Sequence, residues 1–158
     1  MSDALVLREM TEDDLPVLFE YQLQPAARHM AAFTPKDSED REAYLARWKK
    51  IIASDTTLPM TVLLDGQVVG MIGGFERDGE PEVTYWIGEE HWGKGIATRG
   101  LSRFLERYGK RPLYARVVKD NAASIRVLEK CGFVACGEDR GFANARGEEV
   151  DEVVYRLG

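Results

Sequence analysis

Between Pro81 and Leu105 the chain reads PEVTYWIGEEHWGKGIATRGLSRFL, and this stretch constrains the fold more than any other. Glu82 to Ile87 alternate polar and apolar residues as a strand does. Trp92 to Thr98 form a Gly-rich turn, and the residues that follow repeat apolar side chains at helical spacing. The order is strand, loop, helix. A loop feeding the first turn of a helix turns several unpaired N–H groups, and the positive end of the helix dipole, toward one point. Such a point suits phosphate. Gly93 and Gly95 flank Lys94, so the backbone can approach an anion with no Cβ in the way and can take the positive φ that a nest of amides needs. The same two glycines would also serve a plain tight turn. Two better-known phosphate loops are excluded. Lys94 precedes the second glycine instead of following a GxxxxG run, and Thr98 stands where GxGxxG has its third glycine.

The second informative stretch lies one strand downstream, at Asn121 to Phe133, NAASIRVLEKCGF. Together, WGKGIAT and NxxSxxxLEKxGF resemble the GNAT superfamily of acyl-CoA-dependent N-acyltransferases, most nearly the branch that includes the ribosomal-protein-alanine N-acetyltransferases. The strand and helix pattern from Leu5 to Leu157 agrees with it.

Composition narrows the alternatives. At 158 residues, 44% hydrophobic and 30% charged, the chain has the length and make-up of one globular domain, 1–158. A net charge of −6 argues against a nucleic-acid binder, since the phosphate backbone rewards a basic surface. No apolar run is long enough to span a bilayer, and MSDALVLREM lacks a basic region followed by an apolar one, which reads as cytoplasmic. Cys131 and Cys136, with His29 and His91, are too few for a structural metal site and read as core thiols. Lys94, Arg99, Arg103, Arg107, Lys110 and Arg111 face one acid, Glu106. Lys94 and Arg99 flank the anion site and would attract a phosphorylated cofactor, while the distal ones suit a solvated helix face.

In chain order, Leu5–Arg8 reads as a strand and Thr11–Asp14 as the acidic start of a helix that Pro25 ends near Leu23. Ala26 to Pro35 reads as a connection. Ser38 to Ala53 is a second helix. Met60–Leu64 and Gln67–Ile72 flank Asp65-Gly66 as a hairpin whose turn fixes the register. In the following strand Glu82, Thr84 and Trp86 share one face, and Val83, Tyr85 and Ile87 the other. Ala97, Leu101, Phe104, Leu105 and Tyr108 make the core-facing stripe of the next helix, which Gly109 ends. Pro112–Val118 is a strand, Asn121 caps a helix that Gly132 closes, and Val134–Phe142 with Glu149–Leu157 forms a last hairpin. The fold class is α/β, a mixed sheet with helices on both faces. The resemblance sharpens this to about seven strands with a splayed gap between strands 4 and 5.

The resemblance also implies acetyl-CoA as co-substrate, its pyrophosphate against the amides of Gly93, Lys94, Gly95, Ile96, Ala97 and Thr98. Trp92 departs from the Gln or Arg usual there, and Ala97 replaces the last glycine. The pantetheine arm would pair near Trp86, Ile87 and Gly88. Glu82 occupies the position of a carboxylate base in some relatives. Asn121 and Ser124 match NxxS, Asn121 as a cofactor contact or simply as the helix cap, Ser124 as a hydrogen-bond donor to the departing thiolate. Leu128 stands where many relatives carry a tyrosine acid, leaving Tyr85 and Tyr155 as further donors. Arg28, His29, Met30 and Phe33 are candidates for acceptor contact, against the alternative of a surface connection with Met30 and Phe33 tucked onto the core. The implied acceptor is a primary amine, on a protein N-terminus or a small molecule, and homodimers are common among such proteins. A non-catalytic acyl-CoA-binding module is the rival reading.

Overall fold

The computed structural model describes residues 4–158. Its seven strands are β1 (Leu5–Glu9), β2 (Leu58–Leu64), β3 (Gln67–Arg77), β4 (Glu80–Ile87), β5 (Leu113–Val118), β6 (Val134–Ala143) and β7 (Glu148–Leu157). They form one sheet in the order β1-β2-β3-β4-β5-β7-β6. All neighbours are antiparallel except β4 and β5. Those two run parallel and are in register at Glu82 opposite Tyr114 only. Past that pair they splay toward their C-terminal ends, giving the gap between the fourth and fifth strands.

Helices cover both faces. Those on one face are α4 (Ile96–Arg107) and α5 (Ala122–Lys130), whose Ile96, Leu101, Phe104 and Leu128 pack against Ile72, Val83, Ile87, Leu113 and Val117. Gly100 lets α4 sit close, since a Cβ there would come within 2.8 Å of Ile72 Cδ1. The other face receives α1 (Leu15–Leu23) and α3 (Arg41–Ala53). There Leu15, Leu18 and Tyr21 pack with Met71, Trp48, Ile52 and Trp86.

Several local expectations are corrected. Pro25 ends α1 and also opens a further helix, α2 (Pro25–Ala31), where a connection was expected. Gln24 ahead of it is extended (ψ 128°), as a residue before proline tends to be, and Pro25 then occupies the first helical turn, where no N–H bond is lost. The helix expected from Ser38 starts at Arg41, because Asp40 caps it by accepting from Ala43 N at 3.2 Å. Ser38 is instead buried in the preceding turn. The Asp65-Gly66 hairpin forms, but its register does not run unbroken. A bulge at Val69 sends Val68 and Met71 to the α1 side and Val69 and Ile72 to the α4 side. Helix α4 stops at Arg107, with Tyr108 as its C-cap, short of Gly109. Cys131 is half-buried, but Cys136 is exposed on β6, so only one of the two thiols has a core environment.

At the start of the chain Asp14 ties three segments together. Arg8 Nη1 and Nη2 donate to its two oxygens at 2.7 and 2.8 Å, Thr11 N at 2.9 Å, and Thr61 Oγ1 on β2 at 2.7 Å. Among the described residues no helix is long and apolar enough to cross a membrane.

Candidate active site

The loop between β4 and α4 adopts the conformation its glycines allow. Gly93 and Gly95 have φ of +78° and +73°, and Gly95 is the left-handed N-cap of α4, with no side-chain cap. A Cβ at either would meet nothing within 4 Å, so the space over the loop is open. The first amides of α4, at Ile96, Ala97 and Thr98, are of the kind that have no partner inside their own helix. Trp92 has a role that sequence reasoning missed: its indole N–H donates to Ile87 O at 2.8 Å and so pins the loop to the end of β4.

At that strand end, Gly88 N donates to Val69 O at 2.9 Å, so this amide is spent on β3. Amide direction alternates along a strand, which turns the Ile87 N–H to the opposite edge, toward the gap. Gly88 has no room for a side chain, since a Cβ would lie 2.6 Å from the Tyr21 ring.

The splayed strands leave a cleft of about 530 Å³ reached from both faces of the sheet. On the α5 side lie Tyr85, Asn121, Ser124 and Leu128, and on the α1 side Glu82, Thr84 and Trp86. Strand alternation put Tyr85 and Glu82 on opposite faces, and so they are. The cleft unites them because it passes through the sheet at the open edge of β4.

Glu82 is no exposed charge near a strand start. It is 6% exposed, with Arg77 Nε 3.1 Å and Arg116 Nε 3.7 Å from its Oε2. Burial raises its pKa above the ordinary glutamate value, an effect that the charges of Arg77 and Arg116 oppose without cancelling and that nearby Glu152 reinforces. Arg116 is itself held from the far side of the gap, its Nη1 donating to Asp139 Oδ2 and Glu152 Oε1 at 3.0 Å each. Its Nε is buried without a hydrogen-bond partner. This network was not anticipated. The available signal was one charged residue amid the apolar strand LYARVV.

On the opposite face of the sheet the Tyr85 and Ser124 hydroxyls are hydrogen-bonded to each other. Burial pushes the Tyr85 phenol up to about 12, although the bond to Ser124 pulls the other way. Asn121 Oδ1 accepts from Ser124 N at 3.2 Å, so Asn121 is the cap of α5. Tyr155 is buried in the core behind α5 and does not line the cleft.

Of the acceptor candidates, Met30 and Phe33 line the cleft. Arg28 does not. It donates from Nη1 to Ser38 Oγ at 2.9 Å. His29 is exposed, with its carbonyl accepting from Arg146 Nε at 2.8 Å. Among the described residues no group of three or more His, Cys, Asp or Glu is placed to hold a metal ion.

A parallel pair opened into a cleft, with an amide-bearing helix mouth at its end, defines an acyltransferase sheet of one known kind. The family profile of the Acetyltransferase (GNAT) domain matches residues 4–134. The chain is 25% identical to uncharacterized N-acetyltransferase p20 of Bacillus licheniformis, covering 99% of this chain and 93% of that one. Among solved structures, the ribosomal-protein-alanine N-acetyltransferase of Brucella melitensis superposes with a TM-score of 0.79 at 25% identity, over 96% of this chain and 98% of that one. The yncA protein of Salmonella typhimurium, solved with its cofactor acetyl-CoA, gives 0.79 at 24% identity over 98% and 94%. The chain belongs to the GNAT acetyltransferase family and is an N-acetyltransferase.

Proposed function

We propose that the protein moves an acetyl group from acetyl-CoA to a neutral primary amine by direct attack, with both substrates bound at once. One observation carries the reading: a buried carboxylate and a hydrogen-bonded pair of hydroxyls line a single cleft from opposite faces of the sheet, and the strand between them leads into a loop whose left-handed glycines have open space above them. Acetyl-CoA brings the activated thioester, and the chain does the rest. The amides of Gly93 to Thr98 hold the pyrophosphate, with Lys94 beside it. Trp86, Ile87 and Gly88 flank the pantetheine arm, and the Ile87 N–H donates to the thioester carbonyl oxygen as charge builds there.

The acceptor arrives protonated, because an alkyl amine has a pKa of about 10 and an α-amine about 8. Glu82 takes that proton, directly or through a water. Glu82 passes that first proton to solvent. As the new C–N bond forms and the C–S bond breaks, the nitrogen gives its second proton to Glu82, while Ser124 gives a proton to the sulfur and is resupplied by Tyr85, whose phenolate is reprotonated from solvent. This route places on β4 the phenol that many relatives carry at the position of Leu128. Most of the rate comes from holding nitrogen and thioester together. Met30 and Phe33 contact the acceptor, while Arg28 and His29 support the wall behind them.

The test is release of CoA in the presence of acetyl-CoA and a panel of amines that includes Ala- and Ser-starting peptides. CoA binding without release from any amine would leave only a binding module. Two variants probe the parts. Gly95→Val places a β-branched residue at φ +73°, a conformation that costs L-residues roughly 1–2 kcal/mol even without branching. CoA affinity by calorimetry is expected to fall about tenfold or more, and an unchanged affinity would remove the loop from the binding site. Tyr85→Phe is expected to lower kcat by about tenfold with the KM for acetyl-CoA unchanged. Because the phenol is held near 12, wild-type rate should show no descending limb below about pH 10. Such a limb, or an unaltered kcat in the variant, would exclude Tyr85 as the donor.

A further inference from the structure

A second cavity, about 180 Å³, lies between α1, α3 and the sheet, walled by Tyr21, Tyr44, Trp48, Met71 and Trp86. Phe33, Thr84 and Trp86 line this recess and the main cleft alike, so the two meet on the face of β4 that carries Glu82. An apolar cavity of about 150 Å³ accommodates a benzene ring, which makes the recess the size of one ring. Two of the residues that line the recess carry a polar atom buried without a partner, Thr34 Oγ1, on a residue only 6% exposed, and Trp86 Nε1. Both can donate a hydrogen bond, and buried donors left unpaired are costly unless a ligand meets them.

The main cleft is poorly suited to a polycation. Its Glu82, Asp139 and Glu152 each lie against Arg116, and with Arg77 and Arg140 also in the lining three arginines match the three acids, which leaves no net negative charge to hold one. At about 3.3 Å per residue along a strand, Thr84 and Trp86 lie roughly 7 and 13 Å from Glu82. A ring seated near Thr84 and Trp86 would then return its nitrogen toward Glu82 on a linker of about two or three carbons.

We infer that the recess seats the body of the acceptor, and that the acceptor is a primary arylalkylamine whose single ring bears an oxygen substituent that accepts from Thr34 and Trp86. This rests on the acetyl-transfer reading for the reaction but not for the binding. The probes are tyramine, phenethylamine, n-propylamine and spermidine, each scored by CoA release and, separately, by calorimetric binding to the CoA-loaded protein. The expected kcat/KM for tyramine exceeds those for spermidine and n-propylamine by roughly tenfold or more, and Thr34→Val lowers the ratio of tyramine to phenethylamine toward one. Equal or better turnover of spermidine or n-propylamine overturns the recess and leaves the transfer reaction standing. Binding of tyramine without CoA release from any amine supports the recess and overturns the transfer. Absence of both tyramine binding and tyramine turnover overturns the recess.

Discussion

Glu82→Gln is expected to lower kcat by roughly a hundredfold or more near neutral pH, within the range for loss of a positioned base, without weakening CoA binding. The environment of this carboxyl also fixes the shape of the pH profile. Burial raises its pKa, against the opposing charges of Arg77 and Arg116, so it stays protonated, and inactive as a base, to a higher pH than an exposed glutamate would. Wild-type rate should therefore climb as pH rises through that raised value, and Glu82→Gln should lose this lower limb. The folding sign separates catalysis from structure. A carboxyl whose pKa is higher folded than unfolded contributes stability below its unfolded pKa and loses it as pH rises through the folded one. At neutral pH the charged form is thus the strained form, and the neutral amide should melt no lower than wild type. A fall in kcat and melting temperature together would assign Glu82 a structural role, and an unchanged pH–rate profile would remove it as the base.

Asp14→Ala is the change expected to cost most stability. It strips the carboxylate from Thr61 Oγ1, Thr11 N and both terminal nitrogens of Arg8 at once, leaving a buried hydroxyl on β2 unpaired. Removing one partner of such a network costs roughly 3 kcal/mol, or a drop of about 6–12 °C in Tm for a chain of this size. Burial alone would raise the Asp14 pKa. The hydrogen bonds from Arg8, Thr11 and Thr61, with the charge of Arg8, outweigh it and bring the group down to about 2 from 3.8. A depressed pKa gives stability that is complete above the unfolded value and is lost as pH falls through the folded one. Wild type should lose on the order of 2 kcal/mol from this group between about pH 5 and pH 1. In Asp14→Asn that part of the acid dependence should be missing. Denaturant midpoints at pH 7 and pH 3 measure both effects, and a variant as stable as wild type at pH 7 would refute the network's role.

Different parts of the site were legible in the sequence to different degrees. The conformation of the Gly-rich loop was readable because it is local: two glycines with positive φ and a helix start are set by adjacent residues. Glu82 was readable as a carboxylate on a particular face of β4, but not as a buried one, because Arg77 and Arg116 reach it from neighbouring strands. Tyr85 was assigned to its face by alternation. That it meets Ser124, 39 residues away, depended on how β4 and α5 pack. Residues 26–31 were misread as part of a connection, since AARHMAAFTP has little periodicity and Pro25 was taken only as a stop. The bulge at Val69 left no mark in the pattern of the hairpin.

The sequence by itself determined the order of the seven strands and of every helix but α2, the turn chemistry at Asp65-Gly66 and Gly93 to Gly95, and the family, because each depends on short-range φ/ψ preference and on spacing along the chain. Tertiary structure alone decided which charges became buried, which hydroxyls met, and how large a recess lies between α1, α3 and β4. Those properties depend on side chains brought together from distant segments at ångström tolerances, where a single bulge or a splayed strand redirects every contact downstream of it.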